Sequence, residues 1–186
     1  MTTIIDDLAK DHARFRRYLI SFREEIAKLA RGEEADFALL QFLATYFSQF
    51  PDELHHKKED IIYARLEARM RPQHDALENL HEQHAEISER AGRFAQMMRA
   101  VLGEQAMPIG HIVEEAESYA ALLGHHMESE DRSLFEPARR QFSKSDWEIV
   151  NDGIADLYAV EINFDKAREV LRLEKLLDNF LQQRIS

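Results

Sequence analysis

Four histidines and two glutamates in this chain are spaced so that helices would carry them to one place: His12, His55, Glu59, His84, His126 and Glu130. His55 and Glu59 are four apart, as are His126 and Glu130. Residues at i and i+4 share a helix face, so each His-x-x-x-Glu pair presents one nitrogen and one carboxylate to the same point. Nitrogen and carboxylate donors without sulfur suit iron, manganese or zinc. A single histidine on an apolar face is ordinarily a hydrogen-bonded core residue. Six such groups together are different, because a buried carboxylate without a partner costs several kcal/mol. No Lys or Arg falls on those faces at that level. A bound metal is the economical way to neutralise them.

The elements that must position these residues are helices. Ile5, Leu8, His12, Phe15, Leu19, Phe22, Ile26 and Leu29 alternate by threes and fours, which predicts a first helix stopped by Gly32. A second runs from about Phe37 to Met70, interrupted by Pro51, which would free a helical carbonyl near the site. Pro72 opens a third, carrying Leu77, Leu80, His84, Ile87, Ala91, Phe94 and Met98 and closed by Gly103. Pro108 opens a fourth through Ile112, Tyr119, His126, Glu130 and Leu134, ending near Phe142. Ser145-Asp146-Trp147-Glu148 reads as a capping box for a fifth, and Phe164 to Leu181 as a last amphipathic helix.

The six residues lie roughly 10–12 residues from the same end of this bundle, ~15–18 Å at ~1.5 Å per residue, and so form one layer. The fold expected is all-α: an antiparallel, up-down-up-down four-helix bundle over residues 1–143, with additional C-terminal helices over residues 144–186. That extension packs back on the bundle or pairs two copies as a homodimer. Register supports the assignment. The stripe of His56 and Asp60 continues to Glu67, and that of His125 to Ser129 and Arg132, neither a core-facing series. His56 and His125 are thus neighbours one step from the metal or surface residues, and Tyr119 is a further donor near the site or plain core.

Composition narrows the function. Acidic residues outnumber basic ones 35 to 24, for a net charge of −11. That balance speaks against nucleic acid and against an anionic membrane surface. No apolar run approaches the ~18 residues of a spanning helix, and Met1 to Lys10 lacks a signal-peptide pattern. There is no cysteine, which removes thiolate ligands and thiol nucleophiles and makes a cytoplasmic location the plain expectation. No nucleotide motif or nucleophile elbow is present. Two bridging carboxylates and four imidazoles supply about eight donor positions, and an oxo or hydroxo bridge about two more. Two octahedral irons want about twelve, so about two stay open for a small diatomic or peroxide ligand.

At these residues the chain resembles the hemerythrin-like, or HHE cation-binding, family, in its bacterial form. His55-His56-Lys57-Lys58-Glu59-Asp60 is similar to that family's HHxxEE element, and His126-Met127-Glu128-Ser129-Glu130-Asp131-Arg132-Ser133-Leu134-Phe135 to its HMxxEExxLFP element, with Glu136 inserted before Pro137. Asp11-His12, Gln83-His84 and Asp146-Trp147 match further elements in the same order. The resemblance covers roughly residues 4 to 150. It implies a four-helix bundle with two non-haem irons held by the same six residues, and binding or sensing of O2, NO or related oxidants. A peroxidase, oxidase or NO-detoxifying enzyme and an iron store are the alternatives to a binding protein. Zinc or manganese is the alternative to iron. One departure matters: oxygen-carrying members have a His-x-x-x-His pair on the third helix, whereas here Leu80 precedes His84, with His81 on the flank. That weakens reversible O2 carriage and leaves a more open site.

Overall fold

Helix α1, Ile4–Ala30, is formed by the first of the alternating series and buries Ile5, Leu8, His12, Phe15, Leu19, Phe22, Ile26 and Leu29 along one face. Gly32 ends it at φ 70, with Gly32 N–H donating to Leu29 (3.0 Å) and Glu33 N–H to Lys28 (2.9 Å). A left-handed residue there turns the chain back on itself, which glycine does without a Cβ penalty. The computed structural model describes residues 4–70 and 75–185, apart from the side chains at 52–53, 70, 75–81, 161 and 185. Pro72, His74 and the side chains of Leu77, Leu80 and His81 therefore lie outside the described residues.

The second long element comprises α2, Phe37–Phe50, and α3, His56–Met70, joined by a π-helical turn over Pro51–His55. Asp36 caps α2 by accepting from Leu39 N–H at 2.9 Å. Pro51 does not break the helix. Its carbonyl accepts from His56 N–H, an i+5 bond that widens one turn and absorbs one extra residue. Helix α4, Asp75–Leu102, follows and stops just before Gly103, as expected, with the left-handed conformation one residue on at Glu104 (φ 63). Helix α5, Ile109–Glu130, starts after an extended Pro108. A second π turn, Asp131–Phe135, leads into α6, Glu136–Gln141.

α1 packs against α2 and α5, and α4 against α2 and α5, so each helix of the bundle touches its neighbours in the chain. This is the antiparallel up-down-up-down arrangement, and no strand occurs among the described residues. The core is divided. One hydrophobic cluster includes Phe15, Phe22, Leu43, Phe47, Phe94 and Tyr119; a second contains Ile5, Leu8, Ile62, Leu66, Leu134, Phe135 and Ala138. Between them along α1, α3 and the α5–α6 element lie His12, His55, Glu59 and Glu130, all buried.

Helix α7, Lys144–Asp156, packs on α3, and α8, Phe164–Ile185, on α2. The capping box of α7 starts at Ser143, two residues before the expected Ser145: Ser143 N–H donates to Asp146 at 2.7 Å and the Ser143 hydroxyl caps Asp146 N–H. The chain is still extended at Ser143, so the cap must sit there. Asp146 also accepts from Arg65 Nε (2.7 Å) and from Arg69, which clamps α7 to α3. The Ser143 hydroxyl first, then its N–H and Arg65, hold the Asp146 carboxyl well below the usual range. α8 buries Ala167, Val170, Leu177 and Leu181 and is fastened by polar groups: Arg14 to Glu174 (2.6 Å), Tyr18 to Asp178 (2.8 Å) and Arg184 to Glu25 (2.6 Å). Phe164, Leu171, Leu176 and Phe180 remain exposed.

Candidate metal centre

The layer that divides the core brings together all six residues expected from the sequence. His12 comes from α1, His55 from the first π turn, Glu59 from α3, His84 from α4, and His126 and Glu130 from α5. His12, His55, Glu59, His126 and Glu130 are no more than 1% exposed. His84, with its side chain 12% exposed, forms the open edge.

Each carboxylate faces two ways. Glu59 Oε1 is 3.0 Å from His55 Nε2 and 3.5 Å from His12 Nε2, while its Oε2 is 3.6 Å from His84 Nε2. Glu130 Oε2 is 3.2 Å from His12 Nε2, while its Oε1 lies 3.0 Å from His126 Nε2 and 3.1 Å from His84 Nε2. Two imidazoles thus gather on one side of the carboxylate pair and two on the other. This is the disposition that bridging carboxylates need.

All four histidines turn Nε2 inward, and each has Nδ1 backed by an acceptor from a different helix. His12 Nδ1 meets Asp131 (3.0 Å), His55 Nδ1 meets Asp11 (3.3 Å), His126 Nδ1 meets Gln83 (3.0 Å), and His84 Nδ1 faces Asp60 at 3.7 Å. An acceptor at Nδ1 fixes the tautomer that leaves the Nε2 lone pair for a cation. The acceptors run once around the bundle: Asp11 of α1 serves the second element, Asp60 serves α4, Gln83 serves α5, and Asp131 returns to α1. Each sits beside a site residue, one before it on the helices running one way and one after it on those running the other. Reversing a helix reverses the sense of its ~100° step, so i−1 and i+1 turn to the same hand in an antiparallel bundle.

Sequence reasoning gave these four acceptors no role. Their adjacency to the site residues was visible, but which groove each would enter depends on helix order and direction. Of the two readings the sequence leaves open for His56, the structure selects the one beside the site. His56 is 6% exposed, stacked on His84 with ring centroids 3.8 Å apart, although its stripe leads to solvent farther along α3. At this level the stripe faces α4, not water.

Charge in the layer is balanced only in part by its own members. Burial depresses the His12 imidazole, but Asp131, then Glu130 and Glu59, more than offset this and raise its pKa to about 11. His55 is raised too, with Glu59 and Asp11 overcoming burial, and so is His84, through Glu130 and Glu59. Glu59 is raised by burial and by Glu130, yet His55 and His12 bring it down to about 2. Glu130 falls well below its ordinary value because His12, His126 and His84 outweigh its burial.

A cation fits this donor set. His12 Nε2, His55 Nε2, His126 Nε2, both oxygens of Glu59 and Glu130 Oε2 are buried without a hydrogen bond. Orphaned buried acceptors are rare in folded proteins and need a cause. Replacing buried ionic groups by apolar ones is commonly neutral or stabilising by ~1–4 kcal/mol, so such a layer is not retained for stability. His12, His55, Glu59 and Glu130 have ligand atoms within 4.8 Å of one another and could hold a metal ion, as could His56, His84 and His126.

Fold and site together define a cation-binding helical bundle. The chain belongs to the hemerythrin family: the model of the hemerythrin HHE cation binding domain matches residues 3–138. Comparison with curated proteins and with solved structures gives no match. Among the described residues no helix is long and apolar enough to cross a membrane.

Proposed function

We propose that this chain holds two non-haem iron ions through His12, His55, Glu59, His84, His126 and Glu130, and that the pair binds or senses a small oxidant of the O2, NO or peroxide class. The observation that carries the reading is the two-way presentation of Glu59 and Glu130, each with one oxygen toward His12 and the other toward His84. A single metal would need only one side of each carboxylate. Bound iron supplies redox chemistry and open coordination positions for such a molecule, with manganese or zinc as the alternative occupants of an N/O donor set.

The chain's own contribution is positioning and exclusion. Asp131, Asp11, Asp60 and Gln83 orient the four imidazoles from behind. Phe15 and Phe135 pack against the His12 ring, at centroid distances of 6.3 and 5.1 Å, and keep bulk water from that side. A layer that, among the described residues, opens beside His84 admits small molecules, which favours binding or sensing over turnover of a large substrate.

Metal content by plasma mass spectrometry, read with the visible spectrum of air-exposed protein, tests this. About two irons per chain and the absorption of a bridged ferric pair are expected; folded protein that takes up no iron would remove the reading. A homodimer through the exposed apolar side of α8 is part of the same proposal, and a monomer in light scattering would reject that part.

A further inference from the structure

We propose that His56 is a metal ligand as well: with His84 and His126 it makes a three-nitrogen position, beside the two-nitrogen position of His12 and His55. The inference rests on the two-metal reading and adds to it. His56 opens α3 immediately after the first π turn, at the site's own level. Its ring lies parallel to that of His84, 3.8 Å apart with 10° between the planes, and its centroid is 6.0 Å from that of His126 at nearly a right angle. One nitrogen from each of the three rings falls within 4.8 Å of the others, with His56 and His126 buried and His84 half-buried.

The register explains how two successive histidines both reach the layer. Consecutive residues in an α-helix differ by about 100°, so a His55 aimed at the bundle axis leaves His56 on the flank toward α4. There it meets His84, whose far nitrogen faces Asp60, four residues along the same flank. His56 and Asp60 thus hold His84 from the ring face and from behind. The two metal positions are then unlike, with five nitrogens between them rather than four, and the three-nitrogen one depends on His56.

Zinc, a diamagnetic stand-in, separates the possibilities. Metal-free full-length protein is titrated with zinc against a chromophoric chelator, as wild type, His56→Gln and the exposed control His125→Gln. Wild type and the control should take two equivalents; His56→Gln should keep one and lose affinity for the other by more than the roughly 10–100-fold that changes around a ligand produce. Histidine ring-nitrogen NMR of the zinc-loaded wild type gives an answer that does not depend on how the variant folds: a nitrogen of His56 should move to the metal-bound position. Two equivalents at wild-type affinity in His56→Gln, or a His56 nitrogen that zinc does not shift, would overturn the assignment of His56 alone. No zinc binding by wild type would overturn the two-metal reading and this inference with it.

Discussion

Glutamine in place of Glu130 is expected to abolish stoichiometric metal binding and to weaken the metal-free protein at the same time. This one carboxylate touches three histidines from three helices: His12 at 3.2 Å, His84 at 3.1 Å and His126 at 3.0 Å. An amide keeps the volume but removes the charge that both proposed metal positions share. Metal retained after dialysis should fall from about two per chain to less than one. In the metal-free state the substitution leaves the buried His12 imidazole, whose pKa is raised to about 11, facing a neutral group. Breaking a buried ionic pair by removing one partner costs ~3–5 kcal/mol. At ~2–4 °C per kcal/mol for a chain of this size, Tm should drop by on the order of 10 °C. The exposed Glu128→Gln change should do neither. If Glu130→Gln keeps two metals at native affinity, the carboxylate does not bridge.

The second large effect is that of the metal itself. A ligand at a thousand times its Kd stabilises the state it binds by ~4.1 kcal/mol, which again corresponds to on the order of 10 °C in Tm. This gain should grow with pH, and the sign follows from the layer's own groups. His12 is raised from 6.5 to about 11, so in the metal-free protein its contribution to stability is full below pH 6.5 and is lost as pH climbs toward 11. Glu59 is lowered from 4.5 to about 2, so its contribution is present above pH 4.5 and is lost as pH falls toward 2. Near neutrality, therefore, His12 carries a proton that a metal must displace while Glu59 carries none. Metal uptake at pH 7 should release protons, and affinity should rise from pH 6 to pH 8. Calorimetry in two buffers of unlike ionisation enthalpy measures this directly; heats independent of buffer would show that His12 was already neutral.

The helices and the level of the six residues could be read from spacing alone, because helical periodicity is a local property and equal distances from helix ends are simple counts. What escaped depends on relations between helices. Asp11 could not be assigned to His55, nor Asp131 to His12, without knowing which helix lies across which groove. His56 stays open between a neighbour of the metal and a surface residue because its stripe ends at Glu67, yet a flank can face a neighbouring helix at one level and water at another. The wide turns did leave a trace. Leu43, Phe47 and Phe50 are buried at steps of four and three; the next axial position is His55, a step of five, after which Glu59, Ile62 and Leu66 resume the alternation. Glu130, Phe135, Ala138 and Phe142 show the same step. Pro51 drew attention to the first of these places, but a proline more often signals a break than an insertion. The cap of α7 was misplaced for a similar reason: Ser143 and Ser145 are both good cap residues, and only the backbone at Ser143 selects between them.

Those two steps of five also make each of the two elements that carry them a pair of segments set out of phase in sequence. Below its π turn, the second element aims Glu59, Ile62 and Leu66 at the axis; above it, Leu43, Phe47 and Phe50. The two sets could not both stay aimed if the same residues formed a regular helix. Winding the same residues as regular α-helix, with no wide turn to absorb the extra one, would rotate α2 by about 100° relative to α3. Either the phenylalanines would leave the core or the histidine and glutamate would leave the layer. The extra residue is thus an angular offset between a half of the helix chosen for packing and a half chosen for its donor atoms. While it is kept, the apolar half can change its side chains without re-aiming the other.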